Sequence, residues 1–331
     1  MITMPSQAPR LLADIGGTNA RFALSIAGEV REHREFKSGD YPDLASAANA
    51  YLAQCDTQYV RPRAAAFAVA APITGDQVAM TNHAWRFSVR ELRRQLQLER
   101  VIVLNDFTAL ALALRHLPRT ELEQVGGTRE VDDAPIALLG PGTGLGVSGL
   151  LPYESHWLPL QGEGGHATVA ASNDREADIL RLLRKRFGHV SAERVVSGAG
   201  LVLLYETLCT LDRVDKQALQ PEHVTQRALQ ESDAQCIEAL QTFCALLGTM
   251  AGNLVLTLGA LGGVYIGGGI VPRLGGWFAS SPFRKRFETK GRYTEYLAPI
   301  PAYVIRSETP AFVGLAQSFD SPSPRVEASA D

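Results

Sequence analysis

Cysteine is scarce: the 331-residue chain has 4, and no two form a C-x-x-C pair. Cys55, Cys209, Cys236 and Cys244 are scattered, and Cys236 and Cys244 fall in one apparent helix. The pattern predicts buried free thiols rather than disulfides or metal ligands. Such usage suits a reducing compartment, so a cytoplasmic location is the expectation. An excess of either charge is lacking too, with 32 Lys and Arg against 35 Asp and Glu. That balance gives no reason to expect nucleic acid or a membrane surface as partner. No G-x-x-x-x-G-K-[ST] loop occurs, and no apolar run approaches the roughly 20 residues that cross a bilayer. Residues 1–10 lack the basic start and apolar core of a signal peptide. Residues 1–9 are expected to be flexible, and the Ser/Pro/Ala-rich stretch from 319 to 331 to be disordered.

What is present is ordinary for a globular chain, with 46% apolar and 20% charged residues, and the length favours two domains. Near the start, an apolar run (Leu11 to Ala13) reaches Asp14, then Gly16, Gly17, Thr18 and Asn19, then a second apolar run (Phe22 to Leu24). Strand, glycine turn, strand is the economical reading, because glycine accepts the angles of a tight hairpin. Exposed backbone N–H groups and the Thr18 hydroxyl suit phosphate oxygens. Asp14 is placed where a divalent cation beside that phosphate wants a hard oxygen ligand. An ordinary hairpin has the same residues.

Downstream, strands at 29–36, 64–73 and 101–104 alternate with helices at 43–54, 88–96 and 107–116, the pattern of an α/β sheet covered on both faces. Ser88 with Glu91 three residues on reads as a capping box. From Pro135 to Leu151 the opening plan returns, an apolar run, the turn Gly142-Thr143-Gly144, and an apolar run. The repeat starts about 125 residues after the first, one domain length, and predicts an internal duplication. Two glycine hairpins facing one another would grip a phosphate chain. The stretch G144-L-G-V-S-G149 matches a dinucleotide fingerprint, but a strand rather than a helix follows it.

Asn105 and Asp106 sit at the carboxyl end of a buried strand just before a helix, the edge at which α/β sheets bind ligands. Asp106 suits a general base and equally a helix cap. Glu163 and His166 share a glycine-rich loop. Zinc is disfavoured there for want of further ligands, whereas a carboxylate with an imidazole suits the hydroxyls of a small polar molecule. Further on, a basic helix is expected from Glu176 to Phe187, a short helix capped by Ser191 and carrying Glu193, and long apolar helices over 201–210 and 234–258. A strand is expected to break into Gly267-Gly268-Gly269, followed by a last strand over 301–306 and a last helix over 309–318.

Taken together, D-I-G-G-T-N-A-R (14–21), N-D-F-T (105–108), G-P-G-T-G-L-G (140–146), G-E-G-G-H (162–166), S-A-E-R (191–194) and G-G-G-I-V-P-R (267–273) resemble the bacterial glucokinases of the proteobacterial type. That family belongs to the sugar kinase, heat-shock chaperone and actin superfamily. The resemblance runs in order from about residue 10 to 318, and it lacks the cysteine-rich zinc motif of the repressor and sugar-kinase (ROK) family. It implies an α/β fold of duplicated ribonuclease-H-like (actin-like ATPase) domains with a cleft between them. The small domain would take residues 10–116 plus 303–318 and the larger one 117–302. It also implies ATP- and Mg²⁺-dependent phosphorylation of D-glucose to glucose 6-phosphate by a homodimer. By resemblance, Asn105, Asp106, Glu163, His166 and Glu193 contact the sugar, with Asp106 as base. Asp14 to Asn19 and Gly142 to Gly144 hold phosphates, with Asp14 organising the metal, and Gly267 to Gly269 hold the adenosine.

Overall fold

The structure, a computed structural model, describes residues 8–56, 61–81, 83–321 and 326–329. The expected flexibility of residues 1–7 therefore lies outside the described residues. The chain packs as two units, one of residues 1–118, 152–161 and 307–331, the other of 119–151 and 162–306.

The first unit opens with β1 (Arg10–Ile15), β2 (Asn19–Ile26) and β3 (Glu29–Lys37). Helix α1 (Leu44–Leu52) is capped by Asp43, which accepts from the Ser46 N–H at 2.7 Å. Strand β4 (Ala64–Val69) stops ahead of Pro72, and the short β5 (Gln77–Ala79) and β6 (Arg86–Ser88) pair with each other. Helix α2 (Val89–Gln95) starts at Ser88, whose hydroxyl accepts from the Glu91 N–H at 3.2 Å. Strand β7 (Arg100–Asn105) then runs directly into α3 (Asp106–Ala113).

The second unit contains β8 (Leu122–Gln124), β9 (Ile136–Pro141) and most of β10 (Leu145–Tyr153). The following strand, β11 (His156–Pro159), lies in the stretch that packs with the first unit, where the Arg115 guanidinium sits 4.4 Å from the centre of the Trp157 ring. Helices α4 (Asp174–Phe187), α5 (Ala192–Val195), α6 (Gly198–Asp212), α7 (Pro221–Leu229) and α8 (Ala234–Leu258) come next. They are followed by β12 (Val264–Ile266), α9 (Trp277–Ser280), α10 (Phe283–Glu288), α11 (Thr294–Leu297) and β13 (Ala302–Ile305). Helix α12 (Pro310–Gln317) and strand β14 (Val326–Ser329) return to the first unit.

The two sheets repeat one plan. In the first, the order is β14-β7-β4-β1-β2-β3, with β1, β4 and β7 parallel and β2 antiparallel to β1. Within the second unit it is β10-β9-β12-β13-β8, with β9, β12 and β13 parallel and β10 antiparallel to β9. The chain is thus a duplicated α/β protein of the actin-like ATPase type. Apolar side chains on both faces of each sheet explain why the parallel strands read as unbroken hydrophobic runs. Leu12, Ala66 and Ile102 are fully buried in one sheet, and Leu138 and Val264 in the other.

The described residues differ from the sequence expectations at several points. The final stretch is not disordered throughout: β14 pairs antiparallel with β7 and buries Ala328, giving the polar segment a strand partner that composition does not reveal. Residues 322–325 and 330–331 of that stretch lie outside the described residues. The unit boundaries differ from the expected ones, because β13 is paired with β12 and β8 and so stays in the second unit. Residues 152–161 conversely pack with the first. Finally, α8 is 25 residues long and apolar enough by composition to cross a membrane, yet most of it is buried in the second core against α6, α7 and α10. Periodicity also missed α7, α9, α10, α11, β8 and β11, all short or weakly patterned.

Candidate active site

In the first unit, the site follows from the register of three parallel strands. Ile15 of β1 is level with Val69 of β4, and Val69 with Asn105 of β7. The β1–β2 turn and the start of α3 therefore emerge from one sheet edge, two strands apart, or about 10 Å at normal strand spacing. The turn is locked from below: the Gly16 N–H donates to Asn19 O at 2.9 Å, and the Ser38 hydroxyl donates to Gly16 O at 3.1 Å. Thr18 is exposed at the tip. Asp14, partly buried one residue before the strand end, has Arg21 Nη1 3.8 Å away. Burial raises its pKa, Arg21 opposes the rise, and Glu35 adds to it.

Asn105 is the cap of α3. Its Oδ1 accepts from the N–H groups of Phe107 (3.0 Å) and Thr108 (3.3 Å), and its Nδ2 donates to Ala71 O at 3.2 Å. With capping done by Asn105, Asp106 stands as first residue of the helix, its Oδ1 accepting from the Phe107 N–H at 2.9 Å. The choice between base and cap at Asp106 is therefore eased, since its neighbour carries the main capping role.

The second unit gathers the other sequence-predicted residues. Glu163 and His166 flank a single short turn, in which the His166 N–H donates to Glu163 O at 3.0 Å. His166 Nε2 lies 4.0 Å from Glu163 Oε2, and Nδ1 lies 4.0 Å from Glu193 Oε1. Glu193 reaches this place because Ser191 caps α5, accepting from the Arg194 N–H at 3.2 Å, and the Ala192 N–H donates to Ala167 O at 2.9 Å. The turn after β9 closes by the Gly142 N–H donating to Gly144 O at 2.8 Å, and Gly142 O accepts from the Gly198 N–H at 2.8 Å. Thr143 is exposed at its tip. The triple-glycine turn leaves the end of β12 beside it: the Gly267 N–H donates to Leu139 O at 2.8 Å, and the Ile270 N–H to Pro141 O at 3.3 Å.

One contact had no sequence signal. The Leu145 N–H donates to Glu193 Oε2 at 2.9 Å, joining the carboxylate to the hairpin across 48 positions of sequence. Arg306, just after β13, was missed although it had a signal: it donates to Pro272 O beyond the triple-glycine turn and pairs with Glu123. Its place after the fifth strand of the repeat, where the first unit has Asn105 and Asp106, was a readable hint.

Two copies of a strand–glycine turn–strand on an actin-like fold, with two carboxylates and an imidazole beside one of them, define a sugar kinase of the actin-like ATPase class. A family model described as glucokinase matches residues 11–321. The glucokinase of Chromobacterium violaceum is 55% identical over 314 residues, covering 95% of this chain and 90% of that protein. A glucokinase from an Antarctic psychrotroph superimposes with a TM-score of 0.85 at 34% identity, over 94% of this chain and 98% of that one. The fold extends to a ROK family glucokinase from Streptomyces griseus solved with glucose and AMPPNP, with a TM-score of 0.63 at 18% identity over 94% and 99% of the two chains. The chain belongs to the glucokinase family, enzymes that phosphorylate glucose at the expense of ATP.

Proposed function

We propose that Asp106 is the general base, taking the proton of the glucose 6-hydroxyl as that oxygen attacks the γ-phosphorus of ATP. The bond between the γ-phosphorus and the bridging oxygen breaks, leaving ADP and glucose 6-phosphate. Phosphoryl transfer asks mainly for positioning and charge stabilisation, with a carboxylate to receive the proton. The observation that carries the reading is the convergence of Glu163, His166 and Glu193 beside the Gly142–Gly144 turn. Those three groups can accept from or donate to sugar hydroxyls, and resemblance to the family adds Asn105 and Asp106 as further sugar contacts. A sugar that left one of them unpaired would be rejected at a cost of about 1–3 kcal/mol per group.

Gly16, Gly17, Thr18 and Asn19 on one turn, and Gly142, Thr143 and Gly144 on the other, would offer backbone N–H groups and hydroxyls to the phosphates. Gly267, Gly268 and Gly269 would let the adenosine approach the backbone. Asp14 would hold Mg²⁺. Among the described residues no group of three or more His, Cys, Asp or Glu side chains is placed to cage a metal. That donor set fits Mg²⁺, which is commonly held by one or two carboxylates, water and substrate phosphates. Bound there, the ion would spread the charge of the transferring phosphoryl group.

Resemblance to bacterial glucokinases supports a homodimer, which sedimentation equilibrium tests. Free buried thiols support a cytoplasmic location. The balanced charge supports action without a nucleic-acid or membrane partner. The deciding experiment is a coupled assay with ATP and Mg²⁺ across glucose, mannose, fructose and N-acetylglucosamine. Turnover on glucose is expected; no turnover on any of the four sinks the reading.

A further inference from the structure

The third parallel strand of each repeat ends in the same device. In the first unit Asn105 closes β7, and its Nδ2 donates to Ala71 O in the loop that leaves β4. In the second unit Arg306 follows β13, and its Nη1 donates to Pro272 O in the loop that leaves β12. The strands correspond, β4 running parallel to β7 as β12 does to β13. In both copies, then, a side chain at the end of one strand fixes the loop of its neighbour. The first copy braces the edge that carries Asp106, and the second braces the turn that begins at Gly267-Gly268-Gly269. Arg306 is itself held. Its Nε donates to Glu123 Oε2 at 2.7 Å, its Nη2 bonds the same oxygen, and its backbone N–H donates to Glu121 O at 2.8 Å. Pro272 lies in a short turn, Val271–Leu274, that buries Val271 and Leu274. The bonds from Gly267 and Ile270 hold the start of the glycine turn against β9. Arg306 holds its far end.

Given the assignment of Gly267 to Gly269 to the adenosine, we propose that Arg306, anchored by Glu123, is a positioning residue for the nucleotide. It holds the far end of the adenosine turn in its binding shape. Glycines allow close approach of a ligand to the backbone but give the turn no stiffness of their own. A turn that must be ordered on binding loses affinity, and one fixed beforehand keeps it. The guanidinium suits the task, because its planar fork puts two nitrogens on Glu123 and a third on the Pro272 carbonyl. A lysine ammonium lacks that geometry. Bonds from a charged donor are also stronger than neutral ones. The transferring phosphoryl group is assigned to the two Gly-Thr turns and Asp106, so the brace acts on nucleotide affinity and not on the chemical step.

The test is calorimetric titration with AMPPNP and Mg²⁺, with steady-state kinetics alongside, on Arg306→Met, Glu123→Ala and the double variant. Arg306→Met is expected to weaken AMPPNP at least about fivefold and to raise the KM for ATP alike, as loss of a bond from a charged donor would. The kcat at saturating ATP and the affinity for glucose should stay within about twofold, which a general loosening of the fold would not spare. Glu123→Ala leaves Arg306 unanchored and should show a smaller loss in the same direction. Because Glu123 acts through Arg306, the double variant should match Arg306→Met rather than the product of the two single losses. Should Arg306→Met fail to fold, Glu123→Ala decides by the same split between nucleotide and glucose. Gly268→Ala serves as the reference. If it weakens AMPPNP and the brace variants do not, the positioning role falls while the adenosine assignment stands. If none of them weakens AMPPNP, the assignment falls and the positioning role with it. Weakening by Arg306→Met but not by Gly268→Ala, or equal losses in kcat and glucose affinity, also overturns the role.

Discussion

Gly314 of α12 and Ala109 of α3 meet backbone to backbone: a Cβ at 314 would stand 1.7 Å from Ala109 O and 3.0 Å from Ala113 N. In an exposed helix, Gly→Ala gains up to about 1 kcal/mol. Here the methyl has nowhere to go, because its neighbour is main chain and not a side-chain end that can swing away. Overpacking of that kind costs about 1–3 kcal/mol or more, so the clash outweighs the helix gain. Gly314→Ala is expected to lower the melting temperature and, by displacing α3, to lower kcat. Unchanged melting would show that the two helices are not packed in this way.

On the role proposed for Asp106, Asp106→Asn removes the proton acceptor but keeps the size and the oxygen that accepts from the Phe107 N–H. General-base catalysis is worth about 10²–10⁴-fold, so kcat should fall by roughly 10³-fold while glucose still binds with affinity within a few-fold of normal, as titration calorimetry would read. Near-normal turnover would remove Asp106 from the role.

Much of this was legible in the sequence, for local reasons. The β1–β2 hairpin is announced by glycines between two apolar runs, and its copy at β9–β10 by the same pattern. Asn105 and Asp106 are placed by the boundary between an apolar strand and an Ala/Leu helix. What was hidden depends on partners distant in sequence. Glu193 reads as a residue of a short exposed helix until Leu145 is seen to donate to it. Helix α7 begins with Pro221 behind a Gln220–His223 capping box, a rarer pair than Ser with Glu. Strand β14 has four residues and becomes a strand only because β7 leaves an edge to pair with.

That last element makes a prediction. Val326 to Ser329 pair with Val103 to Arg100, and Glu327 accepts from Arg100 Nε at 2.7 Å and Nη2 at 3.3 Å. The pair is about one-third exposed on each side, so screening limits it to under about 1 kcal/mol. The ladder and the buried Ala328 add more. Deleting residues 322–331 should lower the melting temperature by a few degrees and leave kcat within about twofold, since Asp106 lies at the other end of β7. An unshifted melting curve would mean that β14 adds nothing to the sheet.

Burial raises the pKa of all four thiols, pushing Cys236 and Cys244 up to about 12. A group whose pKa is higher folded than unfolded stabilises the fold below its unfolded value. That stability is lost as pH climbs through the folded value. The two thiols should therefore contribute to alkaline unfolding between about pH 9 and about pH 12. At pH 8 the buried Cys209, Cys236 and Cys244 should stay protonated and unreactive, leaving partly exposed Cys55 to react first. A chromogenic disulfide should count one reactive thiol in the native enzyme and four after denaturation. Fast reaction of three or four thiols in the native state would contradict the packing of α6 and α8.

On the proposed assignment of the triple-glycine turn to adenosine, Gly268 gives the sharpest separation of the two substrates. Its φ is +78°, and an added Cβ would stand 2.3 Å from Pro141 O and 2.9 Å from the carbonyl carbon of Gly140. A side chain there meets left-handed backbone strain of about 1–2 kcal/mol together with a main-chain clash. The turn is tied on either side, by Gly267 to Leu139 and by Ile270 to Pro141, so it has little room to move as a body. Gly268→Ala should push the turn away from β9 and raise the KM for ATP by more than about tenfold, the kinetic equivalent of about 1.4 kcal/mol. Gly268 meets β9 and not the sugar loop, so the KM for glucose measured at saturating ATP should stay within about threefold. A rise confined to the glucose KM would take the triple-glycine turn out of the nucleotide site.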